Sequence, residues 1–140
     1  MQKKKKEVRK QTSRRRMFEN NNEDFEIKRT TLIKYKGSDS NVTIPDGVTK
    51  ISDGVFDNRY GLKSITIPNS VKKIDKYAFF DCRNLTSITI PNSVTHISMY
   101  AFKNCNNLTD IQIPERFKDD DTLDDIGFND KQIDIILNKK

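Results

Sequence analysis

The side chains with the clearest capacity for chemistry are cations crowded at the start of the chain. Nine lysines and arginines stand against one acid, Glu7, within the first sixteen residues. These cations are Lys3, Lys4, Lys5, Lys6, Arg9, Lys10, Arg14, Arg15 and Arg16. Because clustered cations neutralise phosphates and displace their counterions, we predict that this arm contacts the backbone of RNA or DNA. Residues 1–16 carry +8 and the whole chain +6, which leaves the rest slightly acidic at −2.

Three other roles for the basic arm are also compatible with the sequence. A lysine block followed by an arginine block is similar to a bipartite nuclear-import signal, although short basic patterns often arise by chance. A cationic run also suits an anionic membrane surface, and a plain solvated tail needs no ligand. Phe18 is the first aromatic residue after the arm begins, so nothing favours base stacking or base-specific recognition.

The residue types that commonly serve catalysis or metal binding lack suitable partners here. His96 is the single histidine, and it shares its position in an internal repeat with Lys50 and Lys73. We interpret the acidic run from Asp119 to Asp125 as a solvated linker and not as a metal site. The sequence therefore predicts no enzyme activity, no cofactor, no metal and no small-molecule substrate.

An internal repeat of 23 residues organises the chain. All four prolines follow an isoleucine and are separated by that interval: Pro45, Pro68, Pro91 and Pro114. The shared pattern is L-x-x-I-x-I-P-x-x-V-x-x-I-x-x-x-x-F, present three times with partial copies at the ends. Cys82 and Cys105 occupy equivalent repeat positions, and we interpret them as buried free thiols, not as a disulfide or a zinc site.

The repeat pattern predicts a solenoid. The I-x-I step has the period of a short strand, and the proline after it ends the strand, so we expect one short strand in each turn. The Tyr77–Phe79 and Tyr100–Phe102 segments suggest a tight helical turn or 3₁₀ segment on the far side. Since a single turn cannot bury its own apolar side, stacked turns must share one core.

The repeats resemble the BspA-like branch of the leucine-rich repeats. The resemblance is carried by three motifs, Leu62-Lys-Ser-Ile-Thr-Ile-Pro, Leu85-Thr-Ser-Ile-Thr-Ile-Pro and Leu108-Thr-Asp-Ile-Gln-Ile-Pro, and by Ala-Phe-x-x-Cys ending at Cys82 and at Cys105. It covers residues 25 to about 117. It implies an α/β, β-rich, right-handed solenoid of short parallel strands with an N-terminal hairpin cap and a C-terminal helical cap, and it implies recognition of a protein or a surface.

The ends of the chain depart from the repeat. We divide the chain into a basic arm predicted to be disordered when free (1–24), a hairpin cap (25–38), repeats (39–117), and an acidic linker with a capping helix (118–140). The first turn has Asp39, Val55 and Arg59 where later turns have Leu, Ala and Cys, as expected for a terminal turn that faces solvent. Ile133, Ile136 and Leu137 predict a helix that covers the last turn, with a detachable partner-binding helix as the alternative.

Strand side chains that point away from the core form two small, polar columns. One column contains Asn41, Ser64, Ser87 and Asp110, and the other contains Thr43, Thr66, Thr89 and Gln112. We predict a protein-binding surface at Ser64, Thr66, Ser87, Thr89, Asp110 and Gln112, although serine and threonine also simply favour strands and solubility. Specificity is expected from variable residues beside the columns: Lys63, Lys72, Lys73, Lys76, Arg83 and His96.

Two hypotheses about function follow. In the first, the chain is a non-enzymatic binding module that docks on a protein or nucleoprotein complex, with the basic arm contacting nucleic acid. In the second, it is a protein-only interaction or adhesion-type module. The first 24 residues lack the apolar run of an export signal, and no stretch approaches the ~20 apolar residues of a transmembrane helix, so we expect an intracellular location, cytoplasmic or nuclear.

Overall fold

The computed structural model describes residues 22–138, which form a parallel β-solenoid closed by a hairpin at one end and by two helices at the other. The strands are β1 (Phe25–Lys28), β2 (Thr31–Tyr35), β3 (Asn41–Thr43), β4 (Lys50–Ile51), β5 (Ser64–Thr66), β6 (Lys73–Ile74), β7 (Ser87–Thr89), β8 (His96–Ile97) and β9 (Asp110–Gln112). The helices are α1 (Asp120–Ile126) and α2 (Asp130–Leu137), and 3₁₀ turns cover Asn22–Asp24 and Glu115–Phe117. The predicted fold class is confirmed.

The strands form two sheets on different sides of the solenoid. Sheet A has the order β1-β2-β4-β6-β8, and only its β1–β2 hairpin is antiparallel. Sheet B is parallel throughout, with the order β3-β5-β7-β9. In sheet B, each paired residue faces its equivalent 23 positions later, as Ile65 faces Ile88. The repeat length therefore sets the register directly.

The prediction of one strand per turn is wrong, because each complete turn carries two. The second strand contains two residues and belongs to sheet A, as at Lys73–Ile74. A two-residue strand is too short to show alternation, and it forms because stacking brings equivalent V-x-x-I segments into parallel register. The sequence pattern indicated only that this segment crosses the core.

The segments predicted to be helical turns at Tyr77–Phe79 and Tyr100–Phe102 are tight non-helical turns. Ala78 N–H donates to the Asp75 carbonyl and Phe80 N–H to the Tyr77 carbonyl, but Tyr77 between them has a φ of 58°. Tyr100 has a φ of 59° in the same position of the next turn. Because every residue of a 3₁₀ helix has a negative φ, a left-handed residue at this position interrupts the helix.

The core is a set of ladders, one rung per turn. Its largest rungs are aromatic rings whose successive centroids lie 5.0 to 5.6 Å apart, in the order Phe25, Tyr35, Phe56, Phe79, Phe102 and Phe128. Isoleucine, valine and leucine ladders run beside this aromatic column and are buried, except that Ile97 and Ile111 are only partly buried. The column begins in the hairpin and ends in the helical cap, so both caps belong to the same core.

The hairpin end is closed by the residues that depart from the repeat. The guanidinium of Arg59 donates to the carbonyls of Tyr35 and Gly37 and lies 5.0 Å over the Tyr35 ring. Val55 is buried and Arg59 is half-buried, whereas Asp39 is exposed, so only Asp39 faces solvent as expected for the first turn. Residues 22–24, which we assigned to the basic arm, form a 3₁₀ turn whose Asp24 carbonyl accepts from Lys36 N–H.

The helical cap begins earlier than predicted, because the presumed acidic linker is a helix. Asp119 is its N-cap and accepts a hydrogen bond from Thr122 N–H at 2.8 Å. An aspartate at this position satisfies a free amide at the helix start, and this bond holds the pKa of Asp119 below its usual range. Gly127 ends α1 at a φ of 112°, where any side chain would collide with the Lys103 backbone.

The cap continues the hydrogen-bond ladder of the repeats. Phe79 N–H donates to the carbonyl of Ala101 in the next turn at 2.8 Å, and Phe102 N–H donates to Ile126 of α1 at 3.0 Å in the same way. The predicted second helix is present as α2, with Asn129 and Gln132 forming a capping box. Ile133 and Ile136 are buried against the last turn. The helical end is therefore a docked cover in this structure.

Candidate functional site

The predicted polar columns lie side by side on the outer face of sheet B. Pairing of β5 with β7 puts Ser64 beside Ser87 and Thr66 beside Thr89. Strand alternation turns Ile65 and Ile88 into the core and the four hydroxyl side chains outward. Thr66 and Thr89 are exposed, whereas Ser64 and Ser87 are half-buried.

A shallow groove of about 420 Å³ crosses these two strands. It is lined by Ser64, Ile65, Thr66, Ile67, Asn69, Ser87, Ile88, Thr89 and Pro91. None of these residues, all of which the structure describes, carries a charge. Hydroxyl and amide groups both donate and accept hydrogen bonds, so the groove suits polar but uncharged groups such as a peptide backbone.

The remaining predicted residues of the columns lie outside the groove. Asp110 and Gln112 pair with Ser87 and Thr89 as part of β9, which places both at the cap end of the same face. Both are exposed. At the hairpin end, Ser64 Oγ donates to Asn41 Oδ1 at 2.7 Å, so the serine column is hydrogen-bonded along the stacking direction. The columns are thus continuous, and the groove occupies their middle.

Most of the residues predicted to flank the columns belong to a different surface. Lys73 and His96 lie in β6 and β8, on sheet A, where they align with Lys50. Asp75 contacts the ammonium groups of Lys50 at 3.4 Å and Lys73 at 3.6 Å. The prediction was wrong because it placed every flanking residue beside a single sheet. Lys63 alone immediately precedes a strand of the groove.

Sequence reasoning missed two residues that line the groove, Asn69 and Pro91. Both belong to the I-P-N-S step of the repeat, which is present at Pro68 and again at Pro91. From the sequence, Pro91 was assigned only the role of ending a strand, and not a role in a binding surface. The repetition of this step directly after β5 and β7 of sheet B was the signal that could have identified the corner as a groove wall.

The two cysteines form part of the solenoid wall and not a reactive site. Both are buried free thiols, as predicted. Cys82 Sγ donates to the Phe56 carbonyl at 3.1 Å and Cys105 Sγ donates to the Phe79 carbonyl at 3.0 Å. The neighbouring Cys105 thiol and burial raise the pKa of Cys82, so its thiolate is disfavoured at neutral pH.

The predicted nucleic-acid contacts, Lys3 to Arg16, lie outside the described residues. Within residues 22–138, no cluster of three or more histidine, cysteine or acidic side chains has the arrangement to hold a metal ion. In that same part of the chain, no helix has the length and apolar character needed to cross a bilayer.

A parallel solenoid of 23-residue turns, with a hairpin and helices covering its ends, defines the class of leucine-rich-repeat modules. The family model for the BspA type leucine rich repeat region matches residues 26–134 in six copies. The chain belongs to this BspA-type leucine-rich-repeat family.

Solved structures agree with this assignment. A leucine rich cell surface protein from Faecalibacterium prausnitzii is 44% identical over 51% of this chain and 19% of its own, with a TM-score of 0.50. A leucine-rich repeat protein from Bacteroides capillosus is 25% identical over 61% of this chain and 63% of its own, with a TM-score of 0.52. The chain therefore spans about a fifth of the first protein and under two thirds of the second. No protein of curated function gives a match.

Proposed function

We propose that the chain is a non-catalytic protein-binding module whose partner docks in the groove over β5 and β7. The observation that carries the proposal is the uncharged array of Ser64, Thr66, Ser87 and Thr89, held in register on a rigid sheet and accessible from outside. Parallel pairing fixes the positions of these side chains before binding, so little entropy is lost when a partner docks. The leucine-rich-repeat family is consistent with such a role.

The test is affinity capture from the native cell with a double variant, Thr66→Lys with Thr89→Lys. Two lysines would fill the groove and require a partner to bury charge, so we expect the specifically captured proteins to be lost. The matched control is Thr49→Lys with Thr95→Lys, which adds the same side chains next to the sheet A strands, at one half-buried and one exposed position. Equal capture by the groove variant and the control would contradict the proposal.

A second candidate function rests on the basic arm. Nine cations against one acid in residues 1–16 favour contact with phosphates, and such binding weakens steeply as salt concentration rises. Deletion of residues 2–16 is expected to abolish salt-sensitive retention on RNA or DNA while leaving the melting temperature unchanged. Retention that survives the deletion would remove this function. Capture with and without nuclease separates it from protein binding in the groove.

The cellular location of the chain stays a prediction. One similar structure is named as a cell surface protein, whereas our sequence expectation is intracellular. A partner in the groove is compatible with either location. Fractionation of the native cell, with detection by an antibody against the repeats, decides between them.

A further inference from the structure

Two left-handed backbone positions recur in successive turns of the solenoid, and they are occupied by different types of residue. Asn58, Asp81 and Asn104 occupy one position at φ values of 58°, 64° and 66°. The other position contains Gly54 in the first turn at 66°, but Tyr77 and Tyr100 in the next two. Glycine, asparagine and aspartate tolerate this conformation, whereas a bulky side chain rarely adopts it. The backbone itself therefore gives no reason for a tyrosine.

The two tyrosines and two neighbouring residues form a largely aromatic surface, in which Tyr77 is exposed and Tyr100 is half-buried. We call this surface the tyrosine ledge and define it as Tyr77, Phe80, Met99 and Tyr100. The Tyr77 ring lies 5.4 Å from Phe80 and 5.8 Å from Tyr100. Tyr77 is 42% exposed and Met99 is 51% exposed, although both are large side chains. Residues in costly conformations persist at functional sites, and tyrosine and methionine are enriched in protein interfaces.

The sign of the charges near the tyrosine ledge changes from one turn to the next, with acids in the first turn and lysines in the second and third. Lys76 precedes Tyr77 and is exposed, and the Lys103 ammonium lies 4.9 Å from the centroid of the Tyr100 ring. The first turn has Asp53 and Asp57 where the second has Lys76 and Phe80, so the aromatic surface ends there. At the other end, Tyr100 N–H donates to the Asp125 carbonyl of α1. The middle of the ledge is thus apolar and bordered by two lysines.

We propose that the tyrosine ledge is a docking surface for an acidic protein segment that also carries apolar side chains. Apolar groups of the partner would cover Tyr77 and Met99, and its carboxylates would pair with Lys76 and Lys103. The acids of the first turn and of α1 would orient this segment over the second and third turns, because they repel its carboxylates on either side. The ledge lies beside sheet A and does not depend on the groove over sheet B.

The test uses a random dodecapeptide display library selected on the full chain. We expect the enriched peptides to combine aspartate or glutamate with leucine, phenylalanine or tyrosine. Tyr77→Gly with Tyr100→Gly removes both rings, and Gly54 shows that glycine fits this position. This double variant should keep the melting temperature within a few degrees and weaken the selected peptides at least tenfold.

Two further variants separate the ledge from a general effect on the backbone. Asn58→Gly with Asn104→Gly changes the other left-handed position and should leave peptide affinity unchanged. Lys76→Glu with Lys103→Glu should also weaken the acidic peptides at least tenfold. The proposal is overturned if no peptide is enriched, if the enriched peptides lack acids, or if they bind the tyrosine variant normally. Binding of a single-stranded RNA dodecamer that requires both tyrosines would replace it with a nucleic-acid surface.

Discussion

The buried side-chain amide of Gln132 donates a hydrogen bond to the carbonyl oxygen of Cys105 at 2.7 Å. The same amide donates to the Leu108 carbonyl at 3.0 Å. Gln132 therefore gives the last turn two side-chain hydrogen bonds to backbone carbonyls, and the Cys105 carbonyl also accepts from Leu108 N–H at 3.1 Å. These two bonds connect α2 directly to the last turn.

Replacement of this glutamine tests how strongly the cap stabilises the repeats. We expect Gln132→Ala to lower the free energy of unfolding by roughly 1–3 kcal/mol, because the Leu108 carbonyl loses the Gln132 donor and the capping box with Asn129 is broken. Urea unfolding followed by circular dichroism measures the change. Gln112→Ala, at an exposed position of β9, is the control and should change stability by less than about 0.5 kcal/mol. Equal effects of the two substitutions would show that the cap contact is unimportant.

The central leucine ladder is tested by Leu85→Ala. Leu85 has no exposed surface, so truncation leaves a cavity and should cost about 2–5 kcal/mol and several degrees of melting temperature. Differential scanning calorimetry gives both quantities. Leu137→Ala, at a partly buried position of α2, provides a milder comparison. An unchanged melting temperature for Leu85→Ala would contradict the ladder.

At the hairpin end, Arg59→Ala should weaken closure locally. The variant loses the donors to Tyr35 and Gly37, and we expect a loss of about 1–3 kcal/mol. Amide hydrogen exchange should show faster exchange in β1 and β2, with little change near Leu85 in the middle of the solenoid. The control, Lys34→Ala, removes an exposed cation of the same hairpin. Uniform loss of protection along the chain would mean that Arg59 acts on the whole fold.

The buried Cys82 thiol makes the stability of the fold depend on pH in the alkaline range. Since the Cys105 thiol and burial raise the pKa of Cys82 above its ordinary value of 9.0, the folded state holds the neutral thiol. The resulting stability is complete below that value and is lost as pH rises above it, where unfolding releases a proton. Burial also raises the pKa of Tyr35, which adds in the same direction.

Comparison with Cys82→Ala isolates the thiol from Tyr35. Urea unfolding between about pH 8 and pH 10.5 should show a steeper loss of stability for the natural chain than for the variant. Iodoacetamide should modify Cys82 only after unfolding, as mass spectrometry of the labelled peptide can show. Equal pH slopes together with rapid labelling of the native protein would disprove this prediction.

The sequence was sufficient to predict those features of the fold that repeat in every turn. The proline interval, the buried isoleucines and the outward columns at Ser64 and Thr66 all follow from one period, because register in a parallel solenoid equals repeat length. The two-residue strands of sheet A were missed, since Lys73–Ile74 has no alternation to detect. Three-dimensional stacking, not local pattern, makes that segment a strand.

Features that occur only once were the hardest to predict. The run Asp119–Asp121 appeared to be a solvated linker, yet Asp119 caps a helix whose buried face depends on Leu123 and Ile126. The groove and the tyrosine ledge were not visible either, because each combines side chains from successive turns. Tyr77 and Tyr100 occupy regular repeat positions, and only their left-handed backbone distinguishes them from other repeat residues.

The aromatic column that runs from Phe25 to Phe128 has a consequence for how such a molecule can change in length. Phe128 of the cap stacks on Phe102 at 5.6 Å, much as Phe102 itself stacks on Phe79. The helical cap therefore contacts the last turn through a phenylalanine ring and backbone groups that every repeat supplies. The same cap would fit any turn with a phenylalanine at this position. Insertion or removal of whole 23-residue units would preserve the contacts of both the hairpin cap and the helical cap with the turns beside them. Length is thus an adjustable property of this architecture, and the area available for recognition grows by a fixed increment with every added unit.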